Sequence, residues 1–283
     1  MSRYRASLKS SASDELLNTY LIRPLAWLLV LPLLRTPLRP EAIIALNIAL
    51  ALTSAAFFLQ GTPSGNLIAG LLLLAKILFD AVDGQLARAK GLVTRLGRFL
   101  DSLADFYTNL PIFIAIGAAG LSESHDWTRL WLWFACFWVM TLQCSYFNFY
   151  LVAHLRVVGR QPASRTDERI LAADQEQAGL VLWLQKLYLW TYGWQDSLIA
   201  RVDRWSGAEH LTGQAKDAWY VDGAAVRLSS FLGLGTLLTP LGVLALVDRV
   251  DWYLFFIFGA GNIILLASIG YRLGLARRLS RSS

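Results

Sequence analysis

The sequence predicts an all-α integral membrane protein: six transmembrane helices, an N-terminal amphipathic interfacial helix, and a long cytoplasmic loop between helices four and five. Three observations predict it. Of 283 residues, 55% are hydrophobic and only 16% charged, with a mean hydropathy of +0.46, which is too apolar for an ordinary soluble domain. The apolar residues fall in separate runs of roughly 20, each able to cross about 30 Å of hydrocarbon as a helix, whereas a barrel would show short alternating segments. Lysine and arginine collect in alternate connections, as they do in membrane proteins whose short basic loops stay in the cytoplasm.

Residues 1–41 are expected to form a cytoplasmic tail and interfacial helix. Arg3, Arg5 and Lys9 lead into a polar stretch, so no secretory signal is visible. Residues 14–35 are apolar but interrupted by Arg23, Pro24 and Pro32, which predicts a helix on the membrane rather than through it. Residues 36–41 then turn rigidly into the first span. Residues 42–283 make up the membrane domain, with spans expected over 42–60, 66–89, 97–120, 127–151, 227–247 and 252–271. The connections 61–65, 121–126 and 248–251 contain only Arg249, while the N-terminus, the link 90–98, the loop after span four and the tail with Arg277, Arg278 and Arg281 are basic. Both termini are therefore expected in the cytoplasm, on a bacterial or archaeal cytoplasmic membrane.

The loop over 153–222 is long for a helix-to-helix connection. Its first part, 156–177, is polar, and its middle, 180–194, sets Trp183, Tyr188, Trp190, Tyr192 and Trp194 among leucines. That run is too short to span and predicts a helix at headgroup level; the plainer alternative is a soluble helix packed on the bundle. Cys136 and Cys144 lie two helical turns apart in one apolar run, without disulfide or metal-ligand spacing. His125, His154 and His210 form no site. The net charge of +6 sits beside hydrophobic runs, which favours anionic headgroups or phosphates over nucleic acid as partners.

One stretch breaks the apolar pattern. Asp80, Asp83, Gly84, Ala87 and Arg88 stand at i, i+3, i+4, i+7 and i+8, and Gly97, Asp101 and Asp105 repeat the spacing on the next helix, so each set shares one helical face. A short link makes the two helices antiparallel, so the carboxylates can converge. Carboxylates within a membrane segment are costly, and like charges resist joint ionisation. A divalent cation resolves that conflict; with oxygen donors only, Mg²⁺ or Mn²⁺ fits better than zinc or copper, and two ions could clamp both oxygens of a phosphoryl displacement. Gly84, Ala87 and Gly97 leave room beside the backbone, and Arg88 offers a forked guanidinium to a diphosphate.

Asp80-x-x-Asp83-Gly84-x-x-Ala87-Arg88, then eight residues to Gly97-x-x-x-Asp101-x-x-x-Asp105, resembles the signature of the CDP-alcohol phosphotransferases, with every fixed position present. The resemblance implies a membrane enzyme of phospholipid biosynthesis. It would transfer a phospho-alcohol group from a CDP-linked donor, such as CDP-diacylglycerol, to a hydroxyl of an alcohol acceptor, releasing CMP. It further implies that Asp80, Asp83, Asp101 and Asp105 ligate the metals and that Asp105 also accepts the hydroxyl proton. Gly84, Arg88 and Thr94 would contact the nucleotide and diphosphate, Gly97 would line that site, and a homodimer is possible.

Other readings stay open on the sequence. A soluble donor such as CDP-choline, CDP-ethanolamine or CDP-inositol could serve a lipid or polyol acceptor. A divalent-cation transporter could use the carboxylates as a pathway, and a silent scaffold could keep them as ion pairs with Lys76 and Arg88. Arg156, Arg160, Arg165 and Arg227 could hold an acceptor phosphate or face headgroups. The acceptor alcohol itself is not specified.

Overall fold

The structure is a computed structural model that describes residue 15 and residues 17–159 and 179–282. Arg160, Arg165 and most of the polar stretch 156–177 therefore lie outside the described residues, as does the basic N-terminal tail.

A wide helical turn, Asn18–Ile22, leads into α1, Arg23–Leu33. Pro24 sits in the first turn, where no amide donor is needed. One face of α1 buries Ala26 and Val30 against Val82 and Leu86, while Leu25, Leu28, Leu29 and Leu31 stay exposed. That split suits a short helix lying between the bundle and lipid. The span hairpin follows: α2, Pro40–Phe58, and α3, Pro63–Lys90. Thr62 accepts a bond from the Gly65 amide at 3.1 Å to start α3, and Ser54 Oγ donates to the Ala69 carbonyl at 2.9 Å to tie the pair.

Two long helices continue the bundle: α4, Arg95–Ser124, and α5, Trp127–Val157. They pack through edge-to-face rings, Phe106 and Phe113 against Phe137, with Trp133 and Tyr253 completing the core. Helix α6, Gly179–Trp205, is followed by α7, Gly213–Val221. The fifth span, Gly223–Leu246, is broken into α8, Gly223–Ser229, a tight turn at Ser230–Leu232, and α9, Leu234–Leu246. The sixth, Trp252–Arg281, begins with α10, Trp252–Phe255, widens at Phe256–Gly261 and continues as α11, Asn262–Ser282. Among the described residues, six helices are long and apolar enough to cross a membrane, and the chain is an all-α integral membrane protein.

The spans run a little beyond the expected ends. The last one reaches Arg281 because its final turns, although basic, keep helical pattern and partners. Where α3 meets α9, a methyl on Gly70 would lie 2.7 Å from the Gly242 carbonyl, and one on Gly242 would lie 2.8 Å from Leu74. Only glycines let the two backbones approach this closely.

Helix α6 extends eleven residues past the expected aromatic run, to Trp205. It combines both readings of that run. Leu184 packs on Phe99 and Leu103, and Ser145 Oγ donates to Gln195 Oε1 at 2.6 Å, so the inner face rests on α4 and α5. Trp183, Trp190, Trp194 and Trp205 point outward, exposed by between 45% and 74%, the pattern of residues that settle at a lipid–water boundary. Its far end is locked to the last span. The Arg272 guanidinium lies 3.5 Å over the Tyr150 ring centroid, its Nη1 donates to the Trp219 carbonyl at 3.3 Å, and Trp219 Nε1 donates back to the Arg272 carbonyl at 3.2 Å. Tyr220 donates its hydroxyl to Asp203 at 2.9 Å.

Candidate active site

Helix α3 stops at Gly91, whose left-handed φ of +66° lets the Leu92 amide return to the Ala87 carbonyl at 2.8 Å. Three residues later Thr94 Oγ1 accepts from the Gly97 amide at 3.0 Å and starts α4. The reversal is as short as the spacing predicts, but α3 and α4 hardly touch along their length; α2 packs against both instead. Facing surfaces that carry four carboxylates and three small residues offer little to pack, and a cavity of about 670 Å³ opens between them.

Oxygens of Asp80, Asp101 and Asp105 come within 4.8 Å of one another, a group able to hold a metal ion. Asn47 on α2 steadies Asp80 with an amide bond to Oδ1 at 3.4 Å. Asp83 stands outside this trio. It is 5% exposed, near enough to feel the charges of Asp101, Asp80 and Asp105, and its Oδ2 has no hydrogen-bond partner among the described residues. An orphaned buried carboxylate oxygen facing three more carboxylates is the arrangement a hard cation would relieve.

Arg88 folds back over Gly84: a methyl on that glycine would lie 3.2 Å from Nη1 and 3.3 Å from Nη2, so the small residue sets where the guanidinium rests. Thr94, Gly97 and Arg88 all line the cavity with the aspartates. The structure thus brings every expected site residue to one cavity, and it gives Thr94 the additional task of capping α4.

The site also takes in residues that the sequence did not single out, Asp196, Glu15 and Asn18 among them. Lys76, read in the sequence as an ion-pair partner for the aspartates without a choice among them, is 2% exposed and bonds Asp105 Oδ1 from its Nζ at 2.5 Å. From α6, Tyr188, Tyr192 and Asp196 line the cavity at i, i+4 and i+8, a stripe that was legible in the sequence. Tyr192 donates to the Ser102 carbonyl at 2.8 Å. Burial, with the charge of Asp105 close by, pushes its phenol up from the ordinary value, so it remains a neutral donor. Glu15 and Asn18 form the wall beside α9. Glu15 Oε2 accepts from the Thr236 amide at 2.7 Å and its hydroxyl at 2.8 Å, capping α9. No local pattern announced that contact.

Similarity to known proteins shows the family of the chain. The model of the CDP-alcohol phosphatidyltransferase family matches residues 38–202, more than half of the chain, and the chain belongs to that family of enzymes. It is also similar to an archaetidylinositol phosphate synthase of Pyrococcus horikoshii, 40% identical over 70 residues. That match covers 25% of this chain and 35% of the relative, so the chain spans about a third of the length of the curated relative it matches.

Proposed function

We propose that the protein transfers a phosphatidyl group from a CDP-linked donor such as CDP-diacylglycerol to a hydroxyl of a polar alcohol, releasing CMP, as a step of phospholipid synthesis. The observation that carries this reading is the meeting of Asp80, Asp101 and Asp105 within 4.8 Å in the same cavity as Arg88 and Gly84. The membership of the family supports it over a cation transporter.

The donor set is oxygen only, and the orphaned Oδ2 of Asp83 fits the same need. Asp80, Asp83, Asp101 and Asp105 would hold Mg²⁺ or Mn²⁺, as two ions. When bound, such cations neutralise charge building on the phosphates. Arg88 grips the diphosphate with its forked donors, and Gly84 and Gly97 let the nucleotide lie against helix backbone. Asp105 takes the proton from the attacking hydroxyl. The hydroxyl oxygen forms a bond to the phosphatidyl phosphorus as the bond from that phosphorus to CMP breaks, and CMP leaves with the electron pair. The basic tail and the basic link beside the cavity mouth support a cytoplasmic site, where a lipid-linked nucleotide keeps its chains in the bilayer.

The test is CMP release by the purified protein in detergent with Mg²⁺, from CDP-diacylglycerol and, separately, from CDP-choline, CDP-ethanolamine and CDP-inositol, with lipid products weighed by mass spectrometry. CMP formed from CDP-diacylglycerol, abolished by chelation, is the expected result. Use of the soluble donors alone would reverse the roles of donor and acceptor. Silence with all of them, together with Mn²⁺ entry into vesicles, would replace the enzyme with a transporter.

A further inference from the structure

The cavity does not end at the carboxylates. Asn109 lies one turn beyond Asp105 on α4, is 2% exposed and lines the cavity, and its Oδ1 has no hydrogen-bond partner among the described residues. Phe137 of α5 packs on both Phe106 and Phe113, with centroids 5.2 and 5.6 Å apart. This register sets Thr141, one turn from Phe137, level with the segment from Asp105 to Asn109. Thr141 Oγ1 donates to the Phe137 carbonyl at 2.8 Å, which leaves its lone pairs for an incoming donor. Across the cavity stands Glu15, and Cys144, another lining residue, feels the charges of both Glu15 and Asp105.

A buried amide oxygen without a partner is costly in a protein interior, so the deep end of this cavity suits a ligand that donates hydrogen bonds. A hydroxyl donates, which matches the free lone pairs of Asn109 Oδ1 and Thr141 Oγ1. A phosphate only accepts and carries negative charge, and here it would face the carboxylates of Glu15 and Asp105. We propose that Asn109 and Thr141, together with Asp105, form the acceptor pocket and that the acceptor is an uncharged polyol. One hydroxyl sits at Asp105 and reacts; two further hydroxyls donate, one to Asn109 Oδ1 and one to Thr141 Oγ1, and make hydrogen bonds only. The pocket has this role only if the site transfers from a CDP-linked donor as proposed above.

The test uses the full chain in detergent with Mg²⁺ and CDP-diacylglycerol, and offers glycerol, myo-inositol or glycerol 3-phosphate. The variants are Asn109→Leu and the nearly isosteric Thr141→Val, each checked for a donor-dependent thermal shift to show that it folds. The expected result is transfer to glycerol or myo-inositol, with the acceptor KM raised about tenfold in both variants and the donor KM held. An unchanged acceptor KM in the folded variants, or transfer to glycerol 3-phosphate alone, overturns the proposal. A wild-type protein that releases no CMP with any acceptor sinks the transferase reading and the pocket with it, a result distinct from active transfer with an indifferent KM.

Discussion

Lys76 reaches across from α3 to place its ammonium 2.5 Å from Oδ1 of Asp105 on α4, and it is the buried lysine that also feels Asp80 and Asp101. This positive charge offsets part of the repulsion among the three carboxylates. Breaking a buried ion pair from one side costs about 3–5 kcal/mol because the other charge is left uncompensated. In Lys76→Met, melting in detergent with chelator should therefore fall sharply, and added Mg²⁺ should restore part of the loss, whereas the wild type should respond far less. Equal melting of the variant with and without Mg²⁺ would show that no cation replaces the ammonium.

Asp105→Asn keeps the shape of the side chain and removes its capacity to take a proton. Turnover should drop by about 10²–10⁴-fold, while the protein still folds and still shifts its melting on adding donor. Wild-type-like turnover in that variant would remove Asp105 from the chemistry.

Glu15 holds the start of α9 through two bonds from Thr236. Hydrogen bonds to a charged group are worth about 1.5–3 kcal/mol, so Glu15→Ala should destabilise by a few kcal/mol. The loss should be local: faster hydrogen exchange at the first amides of α9 and none at α3 is the expected pattern. Uniform acceleration across the bundle would contradict the cap.

Asp203 supplies a pH test. Its burial raises the carboxyl above its ordinary value, opposed only in part by the Tyr220 hydroxyl bond. A raised carboxyl favours the folded state in its protonated form, and that contribution is full below the ordinary carboxylate range and lost as pH rises through the folded value. As pH rises above the ordinary carboxylate range, wild-type melting should decline relative to Asp203→Asn, which has no charge to bury. Parallel curves for the two proteins would show that Asp203 titrates as an ordinary carboxylate.

The motif residues were legible in the sequence because their information is local: Asp80, Asp83, Gly84 and Arg88 lie on one helix, and helical periodicity alone puts them on one face. Thr94 carried a second local signal, since a threonine three residues before Gly97 is also a helix cap. Tyr188, Tyr192 and Asp196 show the same periodicity, but nothing local says that the stripe faces the carboxylates rather than the bundle elsewhere. The pairing of Lys76 with Asp105 could not be read at all. Its nearer acidic neighbour by spacing is Asp80, and the choice between them depends on how far α3 and α4 stand apart. Likewise, the open gap between those helices follows from α2 wedging against both, a tertiary effect that a short link does not reveal.

The contact between Glu15 and Thr236 joins residues 221 positions apart, and it gives assembly an order in time. During synthesis the four aspartates are all in the chain once Asp105 has been added, but the far wall of their cavity needs α9, made more than a hundred residues later. Closing so long a loop is slow and entropically expensive. Helix α1 can settle on α3 as soon as that span is made, but Glu15 reaches its partner only when the fifth span arrives. A nascent chain thus holds its carboxylates in a groove that stays open on this side until α9 has been made.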